Sequence, residues 1–273
     1  ARGKFKYSLG AAATVSGFLW DDIAYSLECS YTFFSNAEVV SSTDMINPSQ
    51  IINVLSDSSL YQRKNVLSID KMYLQKSWNA GKGWFFRGAA GHFEAAYGGV
   101  AAEALYFPAD GLCAFGVETA VLKKRQYRGI KFSETVRKLD GFTPSYIKYT
   151  GYQSFFNIYC PLPSNMDLTV KAGRFLAHDI GARFEVSRTF ASGLTIAAWF
   201  TYTNAYDILN RERYHDKGIS LTLPIDIFLP YSSRSEWGHG MAAWSRDIGG
   251  VAATGDTLYS AVSVERRRKA FKK

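Results

Sequence analysis

Large apolar residues recur at every second position over long stretches of the chain. From 23 to 33, Ile23, Tyr25, Leu27, Cys29, Tyr31 and Phe33 alternate with Ala24, Ser26, Glu28, Ser30 and Thr32. Cys113, Phe115, Val117 and Val121 alternate with Ala114, Gly116, Glu118 and Ala120, and Phe184 and Val186 with Arg183, Glu185 and Ser187. Met166, Leu168 and Val170 oppose Asp167, Thr169 and Lys171, while Ile219, Leu221, Leu223 and Ile225 oppose Ser220, Thr222 and Pro224. Successive side chains of an extended strand point to opposite sides, so the pattern places one face in an apolar medium and the other toward polar groups.

Turn chemistry punctuates the alternation. Pro108-Ala109-Asp110-Gly111, Pro161-Leu162-Pro163-Ser164-Asn165 and Ala191-Ser192-Gly193 carry the fixed or positive φ that tight connections need. Together these signals predict twelve strands, at about 4–16, 18–34, 64–77, 83–95, 97–107, 111–125, 145–159, 166–176, 181–190, 194–204, 217–225 and 234–245. Most reach the ~10 residues that a tilted strand needs to cross a bilayer, whereas soluble sandwiches use strands of ~5–6. The expected fold is therefore all-β, an antiparallel up-and-down transmembrane β-barrel of about twelve strands. It would occupy residues 1–250, with 251–273 as a C-terminal segment ending in a basic tail.

Composition changes this picture little. The 273 residues include 19 Phe, 17 Tyr, 6 Trp and 23 Gly, a mixture suited to strands and turns. Trp84, Phe85 and Phe86 open one strand, Tyr106 and Phe107 close another, and Trp20, Trp199, Tyr202, Trp237 and Trp244 fall near predicted ends, the headgroup level of a bilayer. No run of ~18 apolar residues offers a transmembrane helix. The net charge of +8 is concentrated partly in the tail Glu265–Lys273, and without a basic-aromatic module or helix-turn-helix pattern nucleic acid is not expected as a partner. Cys29, Cys113 and Cys160 form no CxxC or Cys/His cluster, which argues against both a disulfide framework and a zinc site. No cleavable leader is visible at residue 1, which suggests a trimmed or internal start.

Connection lengths are asymmetric. Segments 35–63, 126–144 and 205–216 fall on one side of an up-and-down barrel, while most connections on the other side are short. Long loops normally lie outside and short turns in the periplasm, so this chain either lacks strands upstream or carries its long connections in the periplasm. Within the longest, 47–59 (NPSQIINVLSDSS) reads as a short helix with Pro48 near its first turn.

Four segments, HFEAAYGGVAAEALY (92–106), KAGRFLAHDIGARFEVSRTFASG (171–193), DKGISLTLPIDIF (216–228) and AAWSRDIGG (242–250), together resemble the C-terminal part of YjbH/GfcD-type proteins. These are outer-membrane barrels of exopolysaccharide and capsule gene clusters, and the similarity spans roughly residues 65–250. The resemblance implies the C-terminal barrel portion of a longer chain in a Gram-negative outer membrane. It further implies a role in polysaccharide secretion or surface assembly, with outer-membrane lipid, polysaccharide and other export proteins as partners. Two places depart from the family pattern, Ile248-Gly249-Gly250 and the basic tail after Val264.

The polar strand faces should line the lumen. Parity assigns Glu28, Glu118, Asp167, Lys171, Arg183 and Glu185 to that face, with Glu103 joining them, either paired to plug the interior or lining a sugar path. Trp199, in phase with Thr195 and Thr201, offers a sugar platform. Catalytic arrangements are weak by comparison. His178 and Asp179 are adjacent in a turn with no nucleophile motif, and Arg174, Asp179 and Arg183 are expected to brace that turn. Asp216-Lys217 and Arg246-Asp247 read as exposed ion pairs at strand ends. Glu94 and Glu103 sit on a hairpin without a sugar cleft, and His92, His178, His215 and His239 lack metal-ligand spacing. The expectation is a non-catalytic barrel with no metal and no cofactor. An outer-membrane enzyme acting on lipid or glycan and a structural or adhesion barrel stand as alternatives.

Overall fold

Each of the twelve alternating segments forms a strand. The structure, a computed structural model, describes residues 7–20, 22–35, 48–61, 66–108, 113–225, 236–242 and 246–263. The main strands are β1 (Ser8–Leu19), β2 (Ile23–Ser35), β3 (Leu67–Gly81), β4 (Trp84–His92), β5 (Tyr97–Tyr106) and β6 (Ala114–Lys124). After a hairpin of β7 (Thr135–Asp140) and β8 (Thr143–Lys148) come β9 (Gly151–Leu162), β10 (Met166–Arg174), β11 (Ile180–Thr189) and β12 (Thr195–Thr203). A two-residue pair, β13 (Ile208–Leu209) and β14 (Glu212–Arg213), precedes β15 (Lys217–Pro224) and β16 (Glu236–Ala242). Omitting the two small hairpins, neighbours in sequence are neighbours in one 12-stranded antiparallel sheet.

Among the described residues the pairing ends at β1 and β16, which are not hydrogen-bonded to each other, so the sheet is open along that line. No helix among them is long and apolar enough to cross a membrane. The expected Trp244 and the basic tail lie outside the described residues.

The two faces invert the order of a water-soluble sheet. On β6, Phe115, Val117 and Val121 are 41–51% exposed, while Glu118 and Ala120 between them are 3% exposed. On β9, Tyr152 and Phe156 are exposed while Gln153 and Asn157 are fully buried. The outer face is thus apolar and uncovered, and the inner face is polar and packed. Among the described residues the exposed tryptophans Trp20, Trp78, Trp84 and Trp237 lie toward the end with the short turns, with Trp84 stacked on Phe86 and 4.9 Å from Tyr106, while exposed Phe and Tyr rings also occur at the other end.

Three expectations change. The helix expected over 47–59 does not form; from Ser49 to Asp57 the chain is irregular, followed by one 3-10 turn at Ser58–Leu60. The side chains of Ser49, Asn53 and Ser56 bind another segment instead. The strand expected at 145–159 divides, because residues 143–148 pair with β7 and leave the sheet strand to begin at Gly151. Finally, Cys113 and Cys160 form a disulfide. The register Ala114↔Tyr159 brings the two cysteines opposite one another on adjacent strands, a juxtaposition that exists only because β7 and β8 leave the sheet.

Candidate functional site: the polar face and the strap across it

The polar face is occupied by the chain's own end. Residues 246–263 enter at the end with the long connections and run along the inner face to the end with the short turns. The sheet curls around this strap, which touches β3, β4, β5, β6, β9 and β12.

Asp247 anchors it. Its carboxylate accepts hydrogen bonds from Ser49 Oγ, Asn53 Nδ2, Ser56 Oγ and the backbone amides of Leu55 and Ser56, at 2.8–3.2 Å. Arg246 beside it is ion-paired with Asp207, both buried. These are not the exposed strand-end charges that the sequence suggests, because the polypeptide has left the sheet and turned inward. Asp57, which burial raises above the usual carboxylate range, accepts from Lys124 Nζ and Tyr127 Oη. Lys124 and Tyr97 also bond the Val54 carbonyl, so the 49–57 segment is a bracket between the strap and β5–β6. Gly249, at φ +65, donates to Asp179, and a Cβ there would lie 2.6 Å from the Thr201 methyl. Only glycine fits both the backbone angle and the approach.

Farther along, side chains of the sheet read the strap's backbone. Gln153 donates to the Ala252 carbonyl and accepts from its amide, and Gln75 does the same for Asp256. Arg87 donates to the Thr254 carbonyl at 2.6 Å and pairs with Glu103 at 2.8 Å; Glu103 also accepts from the Leu258 amide. Tyr259 stacks on Tyr159, ring centroids 3.8 Å apart. An irregular strand offers unpaired backbone groups, and burying them requires partners of this kind.

All seven lumen candidates lie on the polar face, in two groups. Glu118 and Lys171 sit beside the strap, paired with each other at 3.0 Å, and Glu118 accepts a further bond from Thr254. The remaining five lie on parts of the face that the strap leaves half-open. Glu28 pairs with Lys71. The side chains of Asp167 and Glu185 have no hydrogen bond or ion pair among the described residues. Arg183 and Trp199 converge on Asp216, which is not the strand-end partner of Lys217 that the sequence suggests: Arg183 Nη2 donates at 2.6 Å, Trp199 Nε1 at 3.0 Å and Thr201 Oγ1 at 3.2 Å. Arg183 therefore serves this cluster and does not brace the 175–179 turn, while Asp179 holds the strap. Gly218 makes the platform possible, since a Cβ there would fall 2.3 Å from the indole of Trp199.

The catalytic pairs are dispersed. His178 Nε2 lies 2.9 Å from the Thr150 carbonyl, and Asp179 faces Gly249. Glu94 accepts from the Ala253 amide, whereas Glu103 is engaged with Arg87. Among the described residues no group of three or more His, Cys, Asp or Glu is placed to hold a metal ion.

A single antiparallel meander with an apolar outside and a polar inside, filled by its own strap, defines the class of protein. The family described as exopolysaccharide biosynthesis protein YbjH matches residues 1–264, and the chain belongs to it. An Escherichia coli (strain K12) protein, named as the uncharacterized lipoprotein YjbH, is 27% identical over 267 residues. That match covers 95% of this chain and 36% of the relative, so the chain spans little more than a third of the relative's length. No solved structure matches.

Proposed function

We propose that this chain is an outer-membrane barrel that takes part in exopolysaccharide secretion or assembly, without catalysis. The observation that carries the reading is the inversion of the faces. A sheet that exposes Phe115, Val117, Phe156, Phe184 and Phe200 while burying Arg87, Glu103 and Glu118 suits a surrounding of hydrocarbon. Exposed tryptophans at one end fit a headgroup belt. The Cys113–Cys160 bond supports an oxidising compartment such as the periplasmic side of an envelope, and a relative named as a lipoprotein agrees with that location.

Polysaccharide would pass between the strap and the half-open strip of β10–β12 that holds Asp167, Arg183, Glu185 and Trp199, with Glu28 on the separate half-open part at β2. An aromatic face beside unpaired carboxylates and a guanidinium offers the stacking and hydrogen bonding that sugars need. Outer-membrane lipid, the polysaccharide and other export proteins are the partners of this reading.

Val117→Arg tests the membrane part. In a bilayer it should cost about 2–4 kcal/mol near mid-depth and block insertion or lower the urea midpoint in lipid vesicles. Near-neutral behaviour would overturn it, because that is what an exposed position in a water-soluble protein tolerates.

A further inference from the structure

Residues 211–217, Arg-Glu-Arg-Tyr-His-Asp-Lys, alternate in charge as the strands alternate in polarity. Tyr214 is buried and Asp216 turns inward to Arg183 and Trp199, so Arg213, His215 and Lys217 take the outward side. Lys217 pairs with Phe200 of β12, and the His215 ring lies 5.7 Å from Phe200 and stacks on Tyr202 at 5.2 Å. Arg213 stands one step higher, its guanidinium 5.5 Å from the Tyr202 ring and 5.9 Å from the Tyr206 ring. Phe200 and Tyr202 belong to the apolar outer face near the end with the long connections, and Tyr206 lies just beyond it; all three rings are exposed.

No acidic residue occupies the outward positions of β11, β12 or β15 in this register. Arg213 and Lys217 are exposed and form no ion pair among the described residues. Burial and the charges of Arg213 and Lys217 hold the His215 imidazole below its ordinary range, so the local field is positive. Arg213 is also fixed in place. Its Nη2 donates to the carbonyls of Thr203 at 2.8 Å and Ala205 at 3.0 Å, which leaves Nε and Nη1 for an anion.

Spacing narrows the choice of anion. The segment runs extended beside β12 and its continuation, with Thr201 N–H bonded to the Asp216 carbonyl and Tyr214 N–H to the Asp207 carbonyl. Four residues of extended chain separate Arg213 from Lys217 by about 13 Å, and the guanidinium is tied toward the far side. One phosphate does not span both cations. Two phosphates held apart by sugar rings do, with the Tyr202–His215 pair between them.

We propose that Arg213 and Lys217 bind a phosphorylated glycolipid of the surrounding bilayer, an acylated disaccharide with a phosphate at each end, whose sugars rest against Tyr202 and His215. The inference rests on the membrane part of the reading above and adds which lipid the outer face selects. Guanidinium and ammonium groups hold phosphate oxygens by charge-assisted hydrogen bonds. Tyrosines and long basic side chains suit the headgroup level, and the acyl chains would run down the exposed Ile196 and Ile219 below.

The test uses the purified full chain in neutral detergent micelles, titrated with lipid A, with its monophosphoryl form and with phosphatidylglycerol, bound lipid being counted by native mass spectrometry. Lipid A should bind at least about tenfold more tightly than either of the others, and the preference should shrink as salt is raised. Lys217→Gln should erase the preference for lipid A over its monophosphoryl form at an unchanged urea midpoint, because the side chain is exposed. Arg213→Lys keeps the charge and loses the fork, so it should weaken both forms; Lys217→Gln stays readable even if Arg213→Lys loosens the connection. Equal affinity for the two forms in the parent, an undiminished preference in Lys217→Gln, or equal binding of phosphatidylglycerol overturns the proposal. If the chain inserts into phosphatidylcholine vesicles and shows no such preference, the lipid site falls and the barrel stands; if Val117→Arg proves neutral, the barrel reading falls by itself.

Discussion

Asp247 satisfies five donors on the bracket from a buried position, and no other acidic group replaces it there. Removing one member of a buried charged network typically costs about 3–5 kcal/mol. Asp247→Ala should therefore lower the urea midpoint and open 49–57 to protease, whereas Asp167→Ala should change neither. Glu94 makes a prediction of opposite kind. Burial pushes its carboxyl up to about 7, against the pull of the Ala253 amide and of Lys124 and Lys71. A raised folded-state pKa means the folded protein holds this proton more tightly than the unfolded chain. The stability it contributes is complete below the ordinary value of 4.5 and is lost as pH rises through about 7. The urea midpoint should fall from about pH 5 to about pH 8, and Glu94→Gln should make that fall shallower; an unchanged slope would remove Glu94 from the account.

At the scale of elements, Cys113–Cys160 ties the ends of β6 and β9 across a sequence separation of 47 that includes the β7–β8 hairpin. Closing a loop of that length stabilises by about 2–4 kcal/mol, mainly through the unfolded chain. Cys113→Ser with Cys160→Ser should lower the urea midpoint accordingly, and the parent should migrate differently on gels with and without reductant. The strands were legible because their pattern is local: a period of two, as in Cys113 to Val121, survives any tertiary context. Pairings were not legible where they depend on which element leaves the sheet. That is why residues 143–148 look like the start of β9, whereas the cysteines look unrelated only because they form no CxxC or Cys/His cluster, although the expected strands 111–125 and 145–159 are neighbours. The helix expected over 47–59 fails for another reason: Pro48 suits a first turn, but Ser49, Asn53 and Ser56 grip a distant carboxylate, which holds the backbone irregular.

For the molecule as a whole, parity placed Glu28, Glu118, Asp167, Lys171, Arg183, Glu185 and Trp199 on one face but could not say what lies over it. The strap has no periodicity to detect, because its backbone is paired with side chains of Gln75, Arg87, Glu103 and Gln153 and not with another strand. Asp216 reads as an exposed strand-end charge for a related reason: a carboxylate after a long connection looks solvated until the sheet curls Arg183 and Trp199 toward it. The polysaccharide reading makes a claim at this scale. Trp199→Ala should reduce exopolysaccharide release from cells while the amount of assembled protein is unchanged; unaltered release would mean the open strip is not the path.

The strap also sets an order of events in time. Gln75 and Asp256 are 181 residues apart, and Arg87 and Thr254 are 167. Contacts so remote cannot form until the intervening strands exist, and they slow folding accordingly. Residues 246–263 can dock fully only once the strands they cross are in place. Until they dock, Arg87, Glu103 and Glu118 keep their water. Filling the interior thus follows the pairing of β3 to β9, and a chain arrested before it would be a sheet with a wet, unfilled core.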